Sequence, residues 1–126
     1  MRKHIPLKAQ PYFIFGHALV LKSAKQPLDA AKLLHEVAER FPAHHLAAEA
    51  ALEAGRLLTD YGENAEGMGA YQRAIEMAPR GAFHREGLWR VGLAAFLSGE
   101  YKRAASMMGD IVARYGGERE ALGILW

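Results

Sequence analysis

The chain has 126 residues, enough for one domain with its own core, since a chain of this size buries roughly two thirds of its unfolded surface. Its 23 alanines and 15 leucines stand against 10 β-branched residues, a balance that favours an all-α fold and argues against a β-sandwich or barrel. Sixteen Lys and Arg against 14 Asp and Glu leave a net charge of +2, too little for the basic field of a nucleic-acid or anionic-membrane binder; the absence of cysteine excludes disulfides, thiolate metal sites and a cysteine nucleophile.

Residues 1–10 read as a basic lead-in, and an apolar run from Tyr12 to Leu21 follows. Together they have the outline of a secretory signal peptide. His17 interrupts the run, however, and Lys22 stands where cleavage after Ala24 wants a small residue, so the segment is expected to be a helix of the fold. It is too short to cross a bilayer, which takes about 20 apolar residues. Pro27 belongs in the first turn of a second helix, where its missing N–H costs nothing.

From His45 to Tyr61, residues Ala47, Ala51, Ala54, Gly55 and Leu58 share one helical face. Gly62-Glu63-Asn64 breaks the run, and Asn64 is predicted to cap a helix from Ala65 to Ala78 that lines up Gly67, Ala70, Tyr71, Ala74 and Ala78 before Pro79. A helix predicted from Phe83 to Ser98, a turn at Gly99 and another helix from Glu100 to Tyr115 repeat the arrangement, and Arg119 to Trp126 reads as the start of a seventh helix.

These elements recur at an offset of 37 residues. Pro42, Pro79 and Gly116 share one phase; Ala18, Gly55 and Gly92 a second; Ala30, Gly67 and Ala104 a third; Leu34, Tyr71 and Met108 a fourth; Val37, Ala74 and Ile111 a fifth. Small, large and helix-stopping positions agree in type, which predicts three tandem helix pairs and the start of a fourth. Glycine inside a helix costs about 1 kcal/mol against alanine, so Gly55, Gly67 and Gly92 imply helices that approach too closely for a side chain.

The pattern of Ala51, Ala54-Gly55, Gly62, Gly67, Tyr71, Ala74 and Pro79, repeated as Leu88, Val91-Gly92, Gly99, Ala104, Met108, Ile111 and Gly116, resembles the tetratricopeptide repeat. The resemblance implies a right-handed α-solenoid of three helix-turn-helix repeats, at about 11–44, 48–81 and 85–118, with a partial fourth helix, all in one domain spanning 11–126. The first repeat is looser and lacks both glycines. The usual period is about 34; the longer one here, with Gly99-Glu100-Tyr101 and Gly87-Leu88-Trp89-Arg90-Val91-Gly92, resembles bacterial cell-envelope proteins. Tol-Pal coordinators, outer-membrane-assembly lipoproteins and the helical superhelix of soluble lytic transglycosylases are of this kind, and the resemblance implies a periplasmic or envelope location. A lytic transglycosylase also needs a catalytic domain with a Glu-Ser motif, and no Glu in this chain precedes a Ser.

Residues with catalytic potential lack the company that catalysis needs. His44 and His45 with Glu49 make the best metal-like cluster, but a third ligand and a zinc spacing are missing, so a structural or surface role is expected. The pairs Glu36/Glu39 and Glu49/Glu53 read as solvated helix faces, Gly62 to Gly67 lacks the Gly-Lys-Ser/Thr of a phosphate loop, and no Gly-x-Ser-x-Gly elbow occurs. No enzyme activity, cofactor or metal is expected. The candidate site is instead a column about 100° off the contact within each pair: Tyr12, Phe15, Leu19, Leu52, Arg56, Trp89, Leu93, Phe96 and Trp126, with Glu49 and Glu86 near its start. On a concave surface these residues would grip a protein or peptide partner, since aromatic and Arg residues supply most hot-spot energy; alternatively they pack between adjacent first helices. The function expected is therefore a non-catalytic interaction or scaffolding module, with no nucleic acid and no membrane insertion. A non-catalytic part of a wall-cleaving transglycosylase, and self-association through the final helix, are the alternatives.

Overall fold

The structure is a computed structural model that describes residues 4–78 and 80–116. After a short 3-10 turn (Leu7–Ala9) come six helices: α1 (Gln10–Ser23), α2 (Pro27–Arg40), α3 (Leu46–Asp60), α4 (Asn64–Met77), α5 (Ala82–Leu97) and α6 (Tyr101–Tyr115). Among the described residues there is no strand, and the fold is all-α.

The 37-residue period is written into the helix ends. The odd helices stop at Ser23, Asp60 and Leu97, and the even helices start at Pro27, Asn64 and Tyr101, each set spaced by 37. Between them the same turn is built three times. Lys25, Gly62 and Gly99 take positive φ values of 63°, 88° and 87°. The N–H of the next residue reaches back to the carbonyl five before it: Gln26 to Leu21 at 2.9 Å, Glu63 to Leu58 at 2.8 Å, Glu100 to Ala95 at 2.8 Å. This left-handed cap satisfies carbonyls that a helix end leaves open. Gln26, Glu63 and Glu100 then accept the first backbone bond of the following helix, from Ala30, Gly67 and Ala104. Glu63, not Asn64, is thus the residue before α4, and Asn64 opens the helix without a side-chain cap.

Lys25 carries a cost the two glycines avoid, since a left-handed φ strains an L side chain by roughly 1 kcal/mol or more. Part of that is recovered by the greater freedom glycine loses on folding. Lys25→Gly is therefore expected to raise Tm by about 1–3 °C in a thermal melt. A lower Tm would mean that the turn holds Lys25 without strain.

Each helix packs on the next in sequence, and α1 also touches α3 while α3 touches α5. Phases read from the sequence reappear as burial. Val37, Ala74 and Ile111 are all fully buried; Ala18, Gly55 and Gly92 are buried, as are Ala30, Gly67 and Ala104. The core joins a first group around Ile14, Leu34, Val37, Ala54 and Leu57 to a second around Ala38, Leu52, Tyr71 and Val91, with Leu88, Ile111 and Tyr115 beyond. Alanine is common in it because small residues let helix axes come close, replacing area per side chain with dense contact. Gly116 closes α6 with a right-handed φ of −61°, unlike the left-handed turns within pairs. Pro79, the last residues of the third predicted repeat and the expected seventh helix, including Trp126, lie outside the described residues.

Candidate functional site

The eight described residues of the column do not share one environment. Leu52 is only 4% exposed and packs with Ala38, Ala51, Tyr71, Ala74 and Val91, so it belongs to the core and is not available to a ligand. Phe15 and Trp89 are half-buried, the first against the core of the first pairs, the second against Leu88, Ile111 and Tyr115. Tyr12 is exposed but lies against His44 and His45. Leu19 and Phe96 are exposed and Leu93 is half-exposed. Trp126 is outside the described residues.

Arg56 sits at the centre of a ladder of charges that ties the odd helices together. Lys22 Nζ of α1 bonds Glu53 of α3 at 2.7 Å, Glu53 accepts Arg56 at 3.1 Å, Arg56 reaches Glu86 of α5 at 3.3 Å, and Glu86 also accepts Arg90 at 3.3 Å. Glu53 and Glu86 are the more buried members, so each carboxylate is held between two cations. Side-chain Nε of Arg56 is buried and finds no acceptor among the described residues. The ladder sets a polar strut across α1, α3 and α5 within the expected groove, paired throughout except at the Arg56 Nε.

Two cavities lie where successive pairs meet. One of about 520 Å³ is lined by residues of α2, α3 and α4, among them Leu28, Ala31, Leu58, Ala70 and Arg73. Arg73 on its rim is ion-paired with Glu39 of α2. The other, about 760 Å³, lies among α3, α4, α5 and α6, with Met68, Leu93, Ala95 and Leu97 as its apolar lining and Asp60, Asn64, Arg90, Glu100 and Arg103 as polar groups. They are one crevice repeated: Leu28 and Ala65, Ala31 and Met68, Leu58 and Ala95, Glu63 and Glu100, Glu66 and Arg103 are pairs 37 residues apart.

The larger cavity is flanked by an exposed cluster. Phe96 and Tyr101 meet edge to face with centroids 5.5 Å apart, and they are 55% and 64% exposed, while Leu97 is 74% exposed. Of these residues the sequence column had only Leu93 and Phe96. Leu97, Tyr101, Met68 and the two arginines went unmarked because they come from three different helices around the turn end. Only their large apolar size beside a glycine turn could have marked Leu97 and Tyr101.

One histidine is buried. His84 is 5% exposed, and its Nδ1 lies 2.7 Å from the Tyr115 hydroxyl, joining α5 to α6. Burial pushes its pKa below the usual histidine value, Arg114 adds to that, and Asp110 opposes it. Its contribution to stability is thus complete above the unfolded value of about 6.5 and is lost as pH falls through the folded value.

Among the described residues no group of three or more His, Asp or Glu could hold a metal ion, and no helix is long and apolar enough to cross a membrane. No family model, curated protein or solved structure matches the chain.

Proposed function

We propose that the chain is a non-catalytic protein–protein interaction module, a right-handed α-solenoid of tetratricopeptide-like helix pairs that holds a segment of a partner protein. The observation that supports this reading is the recurrence of helix pair, turn and crevice together at 37 residues. In stacked repeats each unit buries its faces on its neighbours, and the junctions between units offer extended binding surface. The crevice between the second and third pairs is the best equipped. Met68, Leu93 and Leu97 offer an apolar seat for an anchor side chain, Asn64, Arg90 and Arg103 offer donors, and Phe96 and Tyr101 beside it are of the type that dominates interface energetics.

A peptide array probed with purified protein tests the reading. Peptides retained by the wild type are expected to bind the Leu93→Ser/Phe96→Ser variant roughly tenfold more weakly or worse, while its melt stays within a few degrees. A wild type that retains no peptide, or a variant that keeps them all, would sink it. The exposure of Phe96, Leu97 and Tyr101 together also suits a second copy of the chain as the partner. In that case light scattering of the wild type gives a dimer mass that the same variant reduces to a monomer's.

A further inference from the structure

The loop joining the first helix pair to the second is organised by His44. Its Nδ1 accepts the N–H of Leu46, the first residue of α3, at 3.1 Å. Its carbonyl accepts the Ala47 N–H at 3.0 Å, and its own N–H donates to the Phe41 carbonyl at 3.0 Å. One residue therefore satisfies two of the four N–H groups that a helix start leaves open. His45 stacks on it with ring centroids 4.4 Å apart. Tyr12 of α1 lies edge-on to His44 at 5.0 Å and tilted against His45 at 5.5 Å, with its hydroxyl 3.4 Å from His45 Nε2. Glu49 stands on α3 one turn beyond His45, and α2 ends in Arg40, whose guanidinium bonds Glu36 and Gln10 and lies over the Phe41 ring.

We propose that His44 is a pH-sensitive cap that fastens the second helix pair to the first at neutral pH and loosens that junction on mild acidification. Only a neutral imidazole with its proton on Nε2 has a lone pair on Nδ1 to accept from Leu46. Protonation turns the acceptor into a donor that faces another donor. It also places a cation at the positive end of a helix dipole and against the stacked His45, whose electrostatic effect disfavours it. All three effects act in one direction. Desolvation, then the neighbouring His45, hold His44 below the ordinary histidine range, so the unfolded chain takes up the proton first. The cap's contribution is complete above about pH 6.5 and is lost as pH falls through the folded value. The corresponding position 37 residues on is Gly81, which has no side chain to cap α5, so among the described residues the device belongs to the first junction.

His44→Asp provides the test, because a carboxylate oxygen occupies the place of Nδ1 on Cγ, accepts from the same N–H and stays anionic from pH 5 to 8. Thermal melts of the wild type, His44→Asp and His44→Leu are compared at pH 7.5 and 5.0. His84 loses stability in the same direction, but equally in all three proteins, and cancels in the differences. The wild type is expected to lose about 3 °C or more beyond what His44→Asp loses. His44→Leu is expected to be less stable than the wild type at pH 7.5 and to show the smaller acid loss of the aspartate variant. The amide of Leu46, corrected for intrinsic exchange, should lose protection at pH 5.0 in the wild type and keep it in His44→Asp. Equal acid losses in wild type and His44→Asp, or a His44→Leu variant as stable as wild type at pH 7.5, would overturn the proposal.

Discussion

Gly55→Ala is expected to lower Tm by roughly 6–10 °C, a loss of about 2 kcal/mol. A Cβ at this position would stand 2.6 Å from Cδ1 and 2.7 Å from Cε1 of Tyr71, closer than carbon atoms approach. The tyrosine cannot swing aside, because its ring is buried and its hydroxyl lies 3.3 Å from Thr59 Oγ1, which in turn donates to the Gly55 carbonyl at 2.9 Å. α3 and α4 would have to separate, and the roughly 1 kcal/mol that alanine gains in helix propensity does not offset that. The other pairs show the compensation. Ala18 occupies the same phase where Leu34 replaces the tyrosine, and Gly92 faces Met108, whose terminal methyl would lie 3.0 Å from an added Cβ but can turn away. Gly92→Ala should therefore be nearly neutral and Gly92→Leu clearly destabilising, and Tyr71→Leu should recover part of the loss in a Gly55→Ala background. A Gly55→Ala protein that melts at or above the wild type would refute the close-approach argument.

Leu52→Ala is expected to cost about 3 kcal/mol, the range for removing a buried leucine from a site that cannot collapse. Leu52 is nearly inaccessible and touches a cluster drawn from α2, α3, α4 and α5, so the hole it leaves is walled by several helices at once. Leu93→Ala, at a half-exposed position lining the larger cavity, should cost less than about 1 kcal/mol. Urea melts with unchanged m-values would establish both figures as stability differences. The two leucines are members of the same sequence-derived column, so similar losses at both would mean that the column shares one environment after all.

That contrast locates where reading the sequence stops being sufficient. The phases of Ala18, Gly55 and Gly92, and of Val37, Ala74 and Ile111, were legible because the contact within a helix pair involves residues on adjoining helices at short range, where 3.6-residue periodicity marks the buried face. The glycine turns were legible because glycine at a left-handed position is a local requirement. Lys25 was not, since nothing about a lysine announces a positive φ.

The surroundings of the column were hidden for a different reason. A helical wheel says that Leu52 and Arg56 point away from the partner within the pair, but not which helix of the next unit covers them. The charge ladder runs between residues 31 and 30 apart, Lys22 to Glu53 and Arg56 to Glu86, which is the 37-residue period less about two helical turns. Such diagonal contacts depend on how far one odd helix slides along the next, a quantity absent from any single repeat. His84 and Tyr115 are hidden by the same kind of packing: their phases hold Ala47 and Ala78 in the second pair, so the buried polar link is a private feature of the third.

Helical class, the 37-residue period and the two glycine turns follow from the order of residues alone, because apolar spacing and left-handed φ act within a few positions. Packing between helices settles the rest: which apolar residues are core and which are surface, where the charges pair, and where the crevices open. Those depend on neighbouring helices some 30 residues away, whose approach distance is set by the sum of side-chain volumes across the junction.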